Sequence, residues 1–214
     1  MFKKIIFKTD DEYKDFQDYK LVRGEYLYKQ IYDIMIDING KNDIVYSDFS
    51  SVIRYDKSLR DNLYIYLSTF EEYLKANIFR KYDISDNLKI NSKDANAIIE
   101  NAIKKENNDY SNLYYNFDLD LGGIKKFIKN HPLDLQLDTN KLDSVRCLRN
   151  EVMHHHLITC GKAKTKKEVK NNLVNLKNQI TYLRDLLPVE YQNGFTNTIN
   201  NMKCDVDFFK IKLE

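Results

Sequence analysis

Residues 144–156, SVRCLRNEVMHHH, combine the side chain types that cleavage of a phosphodiester requires. Arg149 carries a permanent charge and can pair bidentately with a phosphate. His154 can accept or donate a proton near neutral pH. RNA can be cleaved without a metal ion by a base for the ribose 2′-hydroxyl, an acid for the leaving 5′-oxygen and a cation for the developing charge. The pattern therefore predicts metal-independent chemistry at a phosphodiester.

The five-residue spacing of Arg149 and His154 raises a geometric difficulty. At about 100° per residue, the two side chains point roughly 140° apart on an ideal helix. Arg149 also falls on the apolar side of the expected helix, between Val145 and Val152, where an unpaired charge is unfavourable. Either the helix starts or bends between the two residues, or two chains contribute to one site. Both observations favour a cleft shared by two chains.

Each motif residue also has a purely structural interpretation. Arg149 taken alone is more often a core-edge arginine in a salt bridge, with Glu71 as one candidate partner, although a surface carboxylate is an equal alternative for Glu71. Asn150 is either a surface amide or a group that orients the histidine or the phosphate. These alternatives stay open at the level of sequence.

The three consecutive histidines raise the question of a metal site. Adjacent residues on a helix point about 100° apart, so His154, His155 and His156 cannot all bind one ion, and no metal or cofactor is expected. His156 is expected on the apolar side as a packed histidine. His155 is a reserve candidate for proton transfer.

Lysines crowd the segment that follows the motif. A charge run is usually a solvated face, but phosphate contacts supply much of the affinity for RNA, and this run follows the candidate active helix directly. Contact with RNA and plain solvation are equal alternatives. The RNA-binding candidates are Lys162, Lys164, Lys166 and Lys167, with Lys170 beside them.

The segment Arg149–His154, R-N-x-x-x-H, resembles the R-x4-H motif of HEPN domains. With the flanking Leu148 and His155, the pattern LRN…HH is similar to the abortive-infection (Abi) branch of that family. Such domains are helical bundles that usually dimerise and place two R-x4-H motifs in one cleft. Active members are metal-independent endoribonucleases, often toxins or antiviral effectors.

A second block upstream carries the same resemblance. YDKSLR, residues 55–60, resembles the D-x-x-L-R pattern of the Abi branch. FEEYLKANI, residues 70–78, resembles its E-x-x-L-R-like helix, with Lys75 where arginine is usual. The resemblance covers roughly residues 20–187, and residues 84–135 match it poorly.

The resemblance implies a metal-independent endoribonuclease that acts as a homodimer on RNA in abortive infection. Arg149 would stabilise the scissile phosphate, His154 would be the general acid or base, and Asn150 would orient them. One alternative is a non-catalytic RNA-binding HEPN protein regulated by a structured RNA or an antitoxin partner. Another is a structural helical module. Intact Arg149 and His154 favour catalysis over the structural module, but they do not separate catalysis from regulation.

The elements that must position these residues are predicted to be helices. Only two prolines and six glycines interrupt the 214 residues, which disfavours a sandwich or barrel of short strands. Apolar residues recur at spacings of three and four. Helices are expected over residues 21–38, 58–82, around 92–103, 124–130, from near 140 to about 160, 165–187 and after Pro188. We expect one all-α bundle of about five to seven helices over residues 1–214, with an insertion around 84–135.

Several capping signals set the expected helix ends. Asp56 or Ser58 could cap the helix that ends near residue 82, and Asn140 the motif helix. Gly161 is the expected C-cap of the motif helix. Thr165 and Glu168 form a capping box for the following helix. The heptad-like seam of that helix is interpreted as part of an intramolecular bundle rather than a dimeric coiled coil.

Composition limits the kinds of partner and cellular environment that are expected for this chain. The net charge of +2 arises from 34 basic and 32 acidic side chains, so a phosphate-binding surface must come from local clustering. Cys147, Cys160 and Cys204 match no zinc or redox spacing, and reduced thiols in a cytoplasmic protein are expected. No stretch approaches the roughly 20 apolar residues of a membrane span, so no membrane partner is expected.

Overall fold

The computed structural model describes residues 2–82, 120–130 and 137–214, together with 132, 133 and 135. These residues form an all-α bundle, which confirms the predicted fold class and the predicted number of helices. The seven helices are α1 (Asp10–Arg23), α2 (Glu25–Ile38), α3 (Tyr46–Tyr82), α4 (Leu121–Asn130), α5 (Thr139–Met153), α6 (Lys166–Leu186) and α7 (Val189–Asn200). None of the helices in these ranges has the length and apolarity to cross a bilayer.

A two-stranded sheet and a 3-10 turn accompany the helices in the described residues. Strands β1 (Ile5–Ile6) and β2 (Ile44–Val45) pair in parallel, with Ile5 opposite Ile44. A single 3-10 turn, Asp207–Phe209, follows α7. The helix expected around residues 92–103, and most of the expected insertion at 84–135, lie outside the described residues.

Helix α3 forms the axis of the bundle and packs against α2, α4, α5 and α7. The predicted apolar stripe is confirmed, since each of its members is at most 2% exposed: Leu59, Leu63, Leu67, Phe70, Leu74 and Ile78. The helix begins at Tyr46, however, twelve residues before the start expected at residue 58. Phe49, Val52 and Ile53 are buried on the same helix and extend the apolar face. The adjacent polar residues Asp48, Ser50 and Ser51 concealed the helical periodicity.

The helix predicted over residues 21–38 is two helices. Gly24 separates α1 from α2 with a φ of 91°, a conformation that glycine adopts without steric strain. The amide of Gly24 closes α1 by donating to the Lys20 carbonyl at 2.9 Å. Helix α1 was not predicted because Phe16 is its single buried side chain, so it has no apolar stripe.

Helix α5 carries the motif and ends earlier than predicted. Asp138, not Asn140, caps its start by accepting from the Asn140 amide at 2.8 Å. Its end is a Schellman turn, in which the His156 amide donates to the Glu151 carbonyl and the His155 amide to the Val152 carbonyl, both at 3.1 Å. His155 occupies the left-handed position of that turn, with a φ of 55°. Glycine usually marks this position, so the sequence carried no visible stop signal there.

Helix α6 follows the prediction closely. The Thr165 hydroxyl accepts from the Glu168 amide at 3.3 Å, and the Glu168 carboxylate accepts from the Lys164 amide at 2.7 Å, so the predicted capping box is confirmed in outline. The heptad-like seam of α6 packs against other helices of the same chain, namely α5, α7 and α2. Its buried members are Val169, Leu176, Ile180, Leu183 and Leu187.

A buried carboxylate joins α3 to the loop that follows α5. Asp56 is fully buried, and one of its oxygens accepts from both the amide and the hydroxyl of Thr159, at 2.9 and 2.8 Å. Its other oxygen accepts from Arg60 Nε at 3.0 Å. Burial raises the pKa of Asp56, and the donors of Thr159 and Arg60 oppose that shift. Asp56 is therefore no helix cap but the anchor of the loop.

Two further helices hold the same loop. Asn172 on α6 donates to the carbonyls of Ile158 and Thr159 at 2.8 and 2.9 Å. Gln30 on α2 donates to the Gly161 carbonyl at 2.6 Å. Gly161 has a φ of 55°, and a Cβ there would lie 2.7 Å from the Asn172 side chain, so glycine is required. The predicted helix cap at Gly161 is wrong, and this residue instead allows the loop to approach α6.

We expect Asp56→Ala to lower the free energy of unfolding by about 3–5 kcal/mol, because it leaves the Arg60 charge and the Thr159 donors buried without their acceptor. Asp61→Ala on the same helix is the matched control, since Asp61 forms only an exposed pair with Lys57. We expect its effect to stay below about 1 kcal/mol. Urea denaturation followed by circular dichroism measures both, and equal effects would contradict the anchoring role.

Candidate functional site

Arg149 lies near the C-terminal end of α5, and its side chain contacts α3. Its Nε donates to Glu71 Oε1 at 3.0 Å, and the exposed fractions of the two side chains are 24% and 18%. The ion pair with Glu71 that the sequence suggested is thus confirmed. Within the described residues, Glu71 is the only hydrogen-bond acceptor in contact with the Arg149 side chain. A single Nε contact leaves the terminal guanidinium nitrogens for another anion.

Arg149 and Asn150 share a small hollow of about 50 Å³ at the junction of α4 and α5. Arg146 and Asp120 line the same hollow. Lys125 on α4 pairs with Asp143 on α5 and holds the two helices together beside this hollow. We call the hollow lined by Asp120, Arg146, Arg149 and Asn150 the arginine hollow.

The three histidines form an exposed cluster at the C-terminal end of α5. His154 is the C-cap residue, and its amide donates to the Asn150 carbonyl at 3.0 Å. The rings of His154 and His156 stack with centroids 5.8 Å apart, and His156 Nδ1 lies 2.6 Å from Glu151 Oε2. The prediction that His156 packs into the core is wrong, because α5 ends before it and its side chain is 53% exposed.

His155 lines a cleft of about 450 Å³ between α3 and the end of α5. The other residues of this cleft, which we call the Arg60 cleft, are Arg60, Asp61, Tyr64, Val152 and Met153. Arg60 is bonded through Nε to Asp56, so the buried anchor also orients an arginine at the cleft. The D-x-x-L-R block, Asp56 to Arg60, therefore contributes both a loop anchor and a cleft residue.

The predicted RNA-binding lysines separate into two groups. Lys162 and Lys164 line a groove of about 550 Å³ together with Tyr26, Gln30 and His155. Lys166 is held at the end of α2, where its amide donates to Asp37 Oδ2 at 2.6 Å. Lys167 is exposed on the first turn of α6 and does not line this groove.

The predicted catalytic residues do not share one cleft of a single chain. Arg149 and Asn150 lie together at the arginine hollow. The histidines follow the last helical residue of α5, and His155 lines both the Arg60 cleft and the groove that Lys162 and Lys164 line. The helix neither starts nor bends between the two motif residues; it ends at Met153, and His154 is its C-cap. Sequence reasoning missed Tyr26 and Gln30, for which no motif signal exists, and assigned no task to Arg60 although the upstream block contained it.

Other chemistries have little support among the described residues. No group of three or more His, Cys, Asp or Glu side chains in these ranges could hold a metal ion. All three cysteines are free; burial raises the pKa of Cys160 to about 12 and also raises that of Cys204. These two buried thiols stay protonated at neutral pH and are therefore poor nucleophiles.

No family model, no curated protein and no solved structure matches this chain. The resemblance to HEPN domains therefore stays a prediction from the motif residues. In the structure, Arg149 faces Glu71 of the segment FEEYLKANI, and Asp56 of YDKSLR holds the loop after His154.

Proposed function

We propose that the protein is a metal-independent endoribonuclease of the HEPN type with a role as a toxin or antiviral effector. One observation carries the proposal. A half-buried arginine oriented by a carboxylate and a cluster of exposed histidines occupy the end of one helix, and hydrogen bonds from three other helices hold the loop that follows. A rigid frame around a cation and titratable imidazoles is what phosphoryl transfer without a metal requires.

The proposed reaction uses the groups of the motif in separate roles. A neutral imidazole, His154 in our assignment, takes the proton of the ribose 2′-hydroxyl, and the 2′-oxygen bonds to phosphorus. The bond from phosphorus to the 5′-oxygen breaks, and a protonated imidazole returns a proton to that oxygen. Arg149, oriented by Glu71, stabilises the charge on the phosphate oxygens, and Asn150 orients the phosphate. The products are a 2′,3′-cyclic phosphate and a 5′-hydroxyl.

The proposed active unit is a two-fold homodimer. In one chain the arginine hollow and the histidine cluster face different clefts, so a second chain would complete each site. Two residues that line the Arg60 cleft are exposed and largely apolar, Tyr64 at 50% and Met153 at 37%, and Ile65, next to Tyr64 in the sequence, is 59% exposed. A patch of this kind, continuous with an incomplete site, suits a symmetric interface with a second copy.

The ion pair between Arg149 and Glu71 also suits the alternative function, a non-catalytic RNA-binding protein regulated by a structured RNA or an antitoxin. In that case the pair would stabilise the bundle, and the exposed lysines would carry the RNA. A cleavage assay separates the two functions, because only the first produces new RNA ends.

We expect the purified protein to cleave single-stranded RNA in the presence of EDTA and to leave 2′,3′-cyclic phosphate ends. The reason is that the attacking group is the ribose 2′-hydroxyl and the protein supplies the proton transfers and the positive charge. Denaturing gels and mass spectrometry of the fragments measure this. A strict requirement for a divalent ion in the chemical step would refute the mechanism.

We expect His154→Ala and Arg149→Ala each to reduce the cleavage rate by about two orders of magnitude or more, through loss of proton transfer and of phosphate stabilisation. His155→Ala should reduce it less. Thermal melts control for folding, because Arg149 also pairs with Glu71. If His155→Ala abolishes cleavage and His154→Ala is harmless, the assignment of the general base to His154 is wrong.

We expect a mixture of Arg149→Ala and His154→Ala chains to regain activity that neither variant has alone. In a mixed dimer one of the two composite sites receives an intact Arg149 and an intact His154 when each site draws on both chains. Light scattering gives the oligomeric state in parallel. A monomer at micromolar concentration that cleaves at full rate would refute the shared cleft.

A further inference from the structure

The groove between α2 and the loop after α5 has the features of a binding site for a nucleobase. It comprises two hollows, of about 550 and 260 Å³, which share Tyr26, Gln30, Ala163 and Lys164. We call the combined feature the Tyr26 groove. Its size falls in the range of roughly 300–1,000 Å³ that is common for small-ligand sites. We infer that it binds an unpaired base that carries an exocyclic amino group, adjacent to the scissile phosphate of RNA; this inference rests on the proposed function.

The walls of the groove suit a flat aromatic ring. Leu27, Leu157 and Ala163 supply apolar surface. Tyr26 stands at the start of α2 with 81% of its surface exposed, although a tyrosine ring is largely apolar. A ring presented in this way is available for stacking on an unpaired base, the common mode of single-stranded RNA recognition.

The polar groups of the groove favour a ligand that donates hydrogen bonds. One N–H of the Gln30 amide donates to the Gly161 carbonyl, so Gln30 keeps its amide oxygen as an acceptor and one N–H as a donor. One carboxylate oxygen of Glu151 contacts His156, and the other remains an acceptor. Adenine, cytosine and guanine present amino donors to such acceptors. Uracil has no amino group and offers only its N3–H, so we expect it to bind less tightly.

Positive charge and position connect the groove to the histidines. Lys162 and Lys164 line it with exposed side chains that suit the phosphates on either side of a bound base. His155 lines both the Tyr26 groove and the Arg60 cleft, so the two form neighbouring parts of one surface track. A base in the groove would thereby place its own phosphate near the histidine cluster.

Binding of short 2′-O-methyl oligonucleotides tests the inference without cleavage, because these RNAs lack the attacking hydroxyl. Fluorescence anisotropy with oligo-A, oligo-C and oligo-U measures affinity and base preference. We expect oligo-A and oligo-C to bind the wild type more tightly than oligo-U. Tyr26→Ala should weaken binding of oligo-A about ten-fold, the effect of losing one stacked base. Tyr191→Ala, at another exposed tyrosine outside the groove, should leave it unchanged.

Two further variants separate base recognition from general electrostatics. Glu151→Gln places an amide donor beside the base and should raise the affinity for oligo-U relative to oligo-A. The double variant Lys162→Ala, Lys164→Ala should reduce affinity and its salt dependence more than Lys167→Ala, Lys170→Ala, a pair of equal charge outside the groove.

The failure of this inference differs from failure of the proposed function. Equal affinities of the Tyr26→Ala and Tyr191→Ala variants, equal binding of all three oligonucleotides, or no binding by the wild type would overturn the groove as a base site. Cleavage of unmodified RNA by the wild type, measured separately, tests the proposed function. Selective binding without cleavage would support the groove and refute the ribonuclease activity.

Discussion

The buried contact of Asp56 with Thr159 is the constraint on which the candidate site depends. It joins the axial helix to the loop that follows the motif, and it does so with a carboxylate that has no access to water. A buried carboxylate is tolerated only when its acceptors are satisfied, here by two donors of Thr159 and one of Arg60. Loss of any of them would leave a costly unpaired group, so the loop has one favoured position.

The position of the loop in turn determines how the motif helix ends. The chain leaves α5 through a left-handed residue, His155, and reaches Thr159 four residues later. A non-glycine residue in that conformation is unfavourable by about 1 kcal/mol or more, and the surrounding hydrogen bonds from α3, α6 and α2 compensate for it. As a result the three histidines project into solvent at the helix end instead of continuing along the apolar face.

The turn at the end of α5 separates the Arg149 guanidinium from the histidine side chains. Arg149 stays within α5, faces α3 and is neutralised in part by Glu71. The histidines form the C-cap and the turn itself, and His155 lines both the Arg60 cleft and the Tyr26 groove. An arrangement that separates cation and imidazole in one chain explains why a shared cleft between two chains is part of the proposed function.

The sequence by itself determined the all-α class, the α3 stripe from Leu59 to Ile78 and the buried seam of α6, because helical periodicity is a local signal. It offered Glu71 only as one candidate partner of Arg149, because the two residues lie 78 positions apart. Only the tertiary structure decided where α5 ends, that Asp56 is an anchor and not a cap, and that Tyr26 and Gln30 meet Lys164. The loop after α5 is fixed by contacts between distant residues, such as Asp56 with Thr159, 103 positions apart, and Gln30 with Gly161, 131 positions apart. No spacing within a single helix encodes such contacts.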